Sequence, residues 1–273
     1  MSLLPNEIDS HYRETREEAR LSAGVGELER LRTQAILARY LPPAPATIFD
    51  VGGAAGVYAF PLAEQGYRVH LIDPVELHLD QAKSRAAESG VELASIALGD
   101  ARHLNVSDAA ADAVLLFGPL YHLVEKSDRL LALREARRIL KAEGLLLAAG
   151  ISHFASLIDG LSRGFFSDPE FRKIIANDLA SGQHRNPGDN LHYFTTAYFH
   201  RPEELAAELS DAGFRDVEVL AVEGPAWSAA HFFEAWDDDA QRQDLLKFLA
   251  SVEREPSILG ASAHLIAVGR RPS

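Results

Sequence analysis

A chain of 273 residues with 47% hydrophobic content and a mean hydropathy of −0.08 can bury a full core, as one large domain or a domain with insertions, and is not of the disordered class. Its net charge of −13 opposes unspecific binding to phosphate backbones and anionic lipid, so nucleic acid and membrane surfaces are disfavoured and small-molecule ligands move ahead. The absence of cysteine excludes a disulfide framework, a thiolate nucleophile and a cysteine-ligated metal, as in a cytoplasmic protein; the first residues lack a secretory pattern, and no stretch approaches the roughly 20 apolar residues of a bilayer span.

Two helical segments come first, near 10–22 and 27–41. In the second, Leu28, Leu31, Ala35, Leu37 and Ala38 fall mostly on one stripe, with Glu29, Arg30, Arg32 and Arg39 elsewhere. Pro42-Pro43-Ala44-Pro45 ends it, because proline lacks a donor and pushes its predecessor out of helix. Residues 1–45 therefore read as an N-terminal helical lid. On its first helix Tyr12 and Arg16 share a face at i, i+4, either as part of a solvated surface balanced by Glu14, Glu17 and Glu18 or as contacts over a ligand.

From 46 to 151 strand and helix alternate, the pattern of a parallel sheet with right-handed crossovers. Strands are expected near 47–51, 67–72, 92–98, 112–117 and 144–150, and helices near 56–65, 75–88 and 125–140. The first strand ends in Ile48-Phe49-Asp50-Val51-Gly52-Gly53-Ala54-Ala55-Gly56, an apolar run closing on an acid and then a turn of small residues that lets backbone N–H groups approach a ligand. Laid as Gly-x-Gly-x-x-Gly/Ala from Gly52, the turn puts Val57 where a dinucleotide fold wants a small residue. Laid as acid-x-Gly-x-Gly-x-Gly it gives Asp50, Gly52, Ala54 and Gly56, with one departure. Ala54 needs φ below zero or some strain there, unless Gly53 takes up the unusual dihedral.

In this form the segment resembles the first motif of the class I S-adenosylmethionine-dependent methyltransferases. Two further acids extend the resemblance: Asp73 closes the second strand and Asp100 follows the third. A carboxylate at the second strand end can accept both ribose hydroxyls of a nucleoside, and in the family an Asp at the third accepts from the adenine amino group. The resemblance thus implies S-adenosylmethionine as cofactor, held by Asp50, Gly52, Gly53, Gly56, Asp73, Pro74, Asp100, Ala101, Phe117 and Gly118. It also implies an α/β, doubly wound, seven-stranded, mostly parallel sheet of order 3-2-1-4-5-7-6 with helical lid insertions. Ligands of such sheets bind outside the carboxyl ends of the strands, so Asp50, Asp73, Asp100 and the 118–123 loop should share one crevice.

Beyond 151 the alternation stops. Residues 152–199 read as a helical cap, with amphipathic helices over 152–162 and 169–181 and a loop over 182–190. The core resumes over 200–273: a helix from Pro202 to about Ala212, a strand near 217–222, a second insertion at about 224–259 and a closing strand near 263–268. This matches the C-terminal third of the family, where the seventh strand inserts antiparallel. In the second insertion, Trp227, Phe232, Phe233 and Trp236 read as a lid or a dimer surface, leaving monomer and homodimer both open, and Asp237-Asp238-Asp239 reads as a solvated helix start.

Methyl transfer needs collinear alignment in a site shut to water, and a base only where the acceptor arrives protonated. His122, in the loop after the fourth strand, is the best-placed candidate base, and His153, past the fifth, is the second. Tyr121, His192 and Tyr193 are candidate contacts for a small organic acceptor. The spacing of His184, His192 and His200 matches no metal-ligand motif, so no metal is expected. Two alternatives stay open: a nicotinamide-dependent oxidoreductase, against which Val57 counts, and a non-catalytic adenosyl-cofactor-binding protein, for which Ala54 is the only argument.

Overall fold

The computed structural model describes residues 7–8, 20–187, 190, 192–228 and 236–273. Tyr12, Arg16, Phe232 and Phe233, and most of the first helix expected from the sequence, lie outside the described residues.

Five strands alternate with helices along the first half of the chain. These are β1 (Thr47–Val51), β2 (Arg68–Asp73), β3 (Ser95–Leu98), β4 (Ala111–Leu116) and β5 (Leu140–Ser152), with α1 (Gly24–Tyr40) preceding and α2 (Ala59–Glu64), α3 (Glu76–Ser89), α4 (Pro119–His122) and α5 (Lys126–Ile139) between. The cap holds α6 (Ala155–Ser162), α7 (Pro169–Ser181), β6 (Gln183–His184) and β7 (Ala197–His200). After it come α8 (Pro202–Asp211), β8 (Arg215–Ala221), α9 (Asp239–Val252), α10 (Pro256–Leu259) and β9 (His264–Arg270).

Strands β1 to β5 pair in parallel in the order β3-β2-β1-β4-β5. β9 adds antiparallel to β5, and β8 antiparallel to β9, so the expected topology holds with β9 as the reversed strand. Three expectations change. Among the described residues the sheet holds nine strands rather than seven, because the cap adds β6 and β7. The third strand is shorter than 92–98, and the 182–190 segment is not all loop: Gln183 and His184 pair with Tyr198 and Ala197 in a hairpin, and β7 joins the last two residues of β5. β5 reaches Ser152 because β9 and then β7 continue to satisfy its backbone after β4 has ended.

Alternation along the central strands divides the core. On β4, Val114 and Leu116 pack with Leu133 and Ala136 of α5 and Leu205 and Leu209 of α8, while Ala113 and Leu115 pack with Ile36 of α1 and Phe60 of α2 on the other face. α1 is fastened to the second insertion as well. Arg32, 1% exposed, donates to Glu253 at 2.5 Å and to the Val222 carbonyl at 3.0 Å, and Tyr40 donates to Glu218 at 2.6 Å. Trp236 is buried against Leu28, Ala226 and Leu249, so this part of the insertion closes on α1. Asp238 caps α9 by accepting from the Ala240 and Gln241 amides, in keeping with the helix start read from the sequence.

Candidate functional site

Strand order reverses between β1 and β4, and a cavity opens there at the carboxyl ends of the strands. The turn after β1 supplies Gly52, Gly53, Ala54, Val57 and Tyr58. β2 and β3 supply Asp73, Pro74, His78, Asp100, Ala101 and Arg102. The loop after β4 supplies Phe117, Gly118, Tyr121 and His122. The cavity then runs on under Ala149 of β5 to His264, Leu265 and Ile266 of β9, and is covered by Arg20, Leu21, Glu29 and Thr33.

The turn is held by its own carboxylate. Asp73 accepts from the Ala54 amide at 2.9 Å and the Val75 amide at 2.9 Å, and lies 3.0 Å from His78 Nδ1. A carboxylate has about four lone-pair positions, so Asp73 keeps capacity for a ligand hydroxyl at the cavity wall. Gly52 adopts φ +75°, and a Cβ on it would stand 2.6 Å from Pro119 Cδ, so the turn and the loop after β4 touch backbone to ring. The strain foreseen at Ala54 is present: it sits at φ +48°, and Gly53 does not take up the unusual dihedral. The Asp73 bond to its amide fixes this conformation, which costs an alanine about 1–2 kcal/mol.

The expectation that Asp50 shares the crevice is corrected. Asp50 is fully buried on β1 between Leu71 and Leu115, on the α1 and α2 side of the sheet, and a Cβ on Gly53 would lie 2.5 Å from its carboxyl carbon. Neither carboxylate oxygen has a hydrogen-bond partner among the described residues. Burial first, and the Asp73 charge second, push its carboxyl up to about 7. Gly56 also lies behind the turn, 2.8 Å from Phe60 at its would-be Cβ. Asp100 does line the cavity, but its carboxylate is engaged by the Arg102 side chain and amide at 2.5–3.1 Å. Burial alone would raise its carboxyl; the Arg102 bonds outweigh this and hold it below the ordinary range.

Of the candidate bases, His122 lines the cavity, stacked on Phe194 with ring centroids 5.8 Å apart. His153 does not. Its amide donates to the His200 carbonyl where β5 passes into the cap, and its Nε2 lies 3.1 Å from both the Leu179 carbonyl and Arg201. Tyr121 is on the cavity wall, whereas Tyr193 packs in the cap against Phe171, Ile174 and Ile175 and donates to Asp168 at 2.5 Å, and His192 is exposed. The histidines of the cap do not converge: His184 meets Asp178 at 2.7 Å, and His200 faces Glu208 at 3.4 Å.

Sequence reasoning missed Arg20, Glu29, Thr33, Tyr58, Glu223 and His264. His264 opens β9, and because that strand runs against the others its first residue stands at the same rim as their last; the reversed strand was itself expected, so this signal was present. Its Nδ1 lies 2.5 Å from Glu223 Oε1 and 3.6 Å from Glu29 Oε2, and Glu29 in turn binds Arg20 at 2.5 Å. These groups bring possible ligand atoms within 4.8 Å of one another. They satisfy one another, anion to cation, within the protein. Burial alone would lower the His264 ring; the charges of Glu29 and Glu223 and the Glu223 bond carry it up to about 9, against Arg20.

The doubly wound sheet, the small-residue turn after β1 and the acids after β2 and β3 on one cavity define an adenosyl-cofactor-binding domain of the Rossmann-like kind. A family described as methyltransferase domain matches residues 48–144. Those residues form a methyltransferase domain of the S-adenosylmethionine-dependent class, with S-adenosylmethionine as its cofactor. It is 32% identical over 179 residues to a malonyl-[acyl-carrier protein] O-methyltransferase of Geobacter sulfurreducens, covering 64% of this chain and 58% of that one. It is 29% identical over 206 residues to a ubiquinone biosynthesis O-methyltransferase of Xanthomonas axonopodis pv. citri, covering 73% and 75%. A solved putative S-adenosylmethionine-dependent methyltransferase of Listeria monocytogenes shares the fold with TM-score 0.60 at 17% identity, over 90% of this chain and 100% of that one. Among the described residues, no helix is long and apolar enough to cross a membrane.

Proposed function

We propose that this protein transfers the methyl group of S-adenosylmethionine to an oxygen, nitrogen or sulfur atom of a small organic acceptor. The observation that carries the reading is one continuous cavity whose first part holds Asp73, the glycine turn and Asp100, and whose second part extends past β5 to β9. With strands roughly 4.8 Å apart, β9 stands about 14 Å from β1, room for an acceptor beside a nucleoside.

Bound cofactor supplies a methyl carbon on a positively charged sulfur. Asp73 takes a ribose hydroxyl, Asp100 with Ala101 the adenine side, and Gly52, Gly53, Phe117 and Gly118 let the chain close on the remainder. Arg20, Leu21 and α1 exclude water above, and alignment in such a site is worth roughly 7–11 kcal/mol of the barrier. His122 and Tyr121 face the acceptor part. The net charge of −13 favours small acceptors over nucleic acid, and the cysteine-free chain works in the cytoplasm as a monomer or homodimer.

Saturation with S-adenosylmethionine or S-adenosylhomocysteine at 100 times the dissociation constant is expected to stabilise the fold by about 2.7 kcal/mol in a thermal melt, while NADH leaves it unchanged. Absence of a shift with both sulfur ligands would remove the reading. Asp73→Ala is expected to weaken cofactor binding by about 1.5–3 kcal/mol, the loss of charged hydrogen bonds. Calorimetric titration with S-adenosylhomocysteine measures this, and equal affinity in the variant would place Asp73 outside the binding contacts.

A further inference from the structure

We infer that Phe194, held in place by His184 of the cap, positions the His122 ring in the acceptor part of the cavity, so that the cap sets the geometry of methyl acceptance; this rests on the methyl-transfer reading above. His122 closes α4, a helix of only four residues. Such a helix has no stability of its own, so the side chain is oriented by what packs on it. That packing is aromatic. Phe194, on the connection between β6 and β7, stacks on the imidazole at 5.8 Å and 29°, and the Tyr121 ring meets it edge-on at 4.7 Å. Tyr121 is tied down by donation to the Phe117 carbonyl at 3.1 Å, and it packs with Phe194 against Ile151, Ala197 and Phe199.

The cap in turn holds Phe194. His184 Nε2 lies 3.1 Å from the Phe194 carbonyl, which can only accept, so the ring donates to it. On its other side Nδ1 meets Asp178 of α7 at 2.7 Å, and Asp178 also accepts from Ser156 of α6. These three side chains are buried, and the His184 ring stacks on Phe199 at 4.8 Å, so α6, α7, β6 and β7 share one anchor. The N-terminal lid reaches the same point: the next residue, Thr195, is buried and donates to the Glu7 carbonyl at 3.4 Å. No described cap residue lines the cavity, so the cap bears on the acceptor from behind His122. Methyl transfer is sensitive to such placement, since a shift of about 1 Å at a reacting group can cost about a hundredfold in rate. Phe194 is a positioning residue, and His184 acts through it.

The test uses the full chain, its histidines labelled with carbon-13 and nitrogen-15, saturated with S-adenosylhomocysteine. A melting shift with S-adenosylhomocysteine comes first; its absence sinks the methyltransferase reading and this inference with it. The His122 signals are identified by their loss in His122→Gln. Three-bond couplings from the ring Cγ to the backbone nitrogen and carbonyl carbon read χ1, and the wild-type protein is expected to show a single rotamer. Phe194→Leu should lose it, the couplings averaging over several rotamers, with S-adenosylhomocysteine affinity within about threefold of wild type. Phe194→Tyr keeps the ring and should keep the single rotamer. His184→Gln should average the couplings as Phe194→Leu does, and add nothing when the two are combined. Unchanged couplings in Phe194→Leu, or averaged ones in Phe194→Tyr, overturn the inference while leaving methyl transfer standing. So does a larger loss of S-adenosylhomocysteine affinity in Phe194→Leu, which would tie Phe194 to the cofactor instead. Should Phe194→Leu fail to fold, Phe194→Met takes its place, and unchanged couplings there overturn the inference equally.

Discussion

Glu208→Ala is expected to lower the unfolding free energy by about 3–5 kcal/mol, because it leaves a buried guanidinium without its anion. Arg129 on α5 and Glu208 on α8 are 2% and 3% exposed and pair through three bonds, at 3.1, 2.9 and 2.7 Å. The guanidinium also lies over the Tyr198 ring at 3.7 Å. Its third nitrogen donates to the Leu123 and Val124 carbonyls at 2.9 and 2.6 Å, so the pair fixes the end of the loop that carries Tyr121 and His122. Urea unfolding reads the loss, and an unchanged midpoint would mean the site relaxes or hydrates freely. Burial alone would raise the Glu208 carboxyl, but His200 and Arg129 outweigh it and hold it down to about 2. A depressed carboxylate contributes stability that is fully present above its unfolded pKa, near 4.3, and is lost as pH falls toward 2. The gap between wild type and variant should therefore narrow across that window.

Gly52→Val is expected to reduce cofactor affinity by two to three orders of magnitude. The residue sits at φ +75°, where a β-carbon costs about 1–2 kcal/mol, and that carbon would stand 2.6 Å from Pro119 Cδ, an overpacking worth about 1–3 kcal/mol. Either the turn or the loop after β4 must move, and both line the cavity. Titration with S-adenosylhomocysteine reads the loss. Affinity within threefold of wild type would show that the approach of turn to loop is not needed for binding.

Much of the fold is legible in the residues because its signals are local. The apolar run 48–51 closing on small residues, the acids 73 and 100 at the ends of the next two strands and the prolines 42–45 each act within a few residues, and the strand-helix alternation they punctuate marks a parallel sheet, whose strand order the family resemblance supplied. The Asp238 cap was equally local, two N–H groups within three residues. The same locality explains the misread hairpin. Gln183 and His184 pair only because β7 lies beside them, and polar loop composition carries no trace of that partner.

By itself, then, the sequence determined the parallel sheet and the rim at which ligands bind, since periodicity and turn chemistry are properties of short segments, while the reversed last strand was implied by the family resemblance alone. Which acids reach that rim was decided in three dimensions. Asp50 alternates onto the buried face of β1 while Asp73, at the very end of β2, reaches the cavity. The His264, Glu223 and Glu29 cluster likewise joins β9 to a loop and to a helix at the far end of the chain, much as Arg32 reaches across 221 residues to Glu253. Such contacts follow from packing the insertions over the sheet, a collective result of burial and charge pairing that no spacing between neighbours encodes.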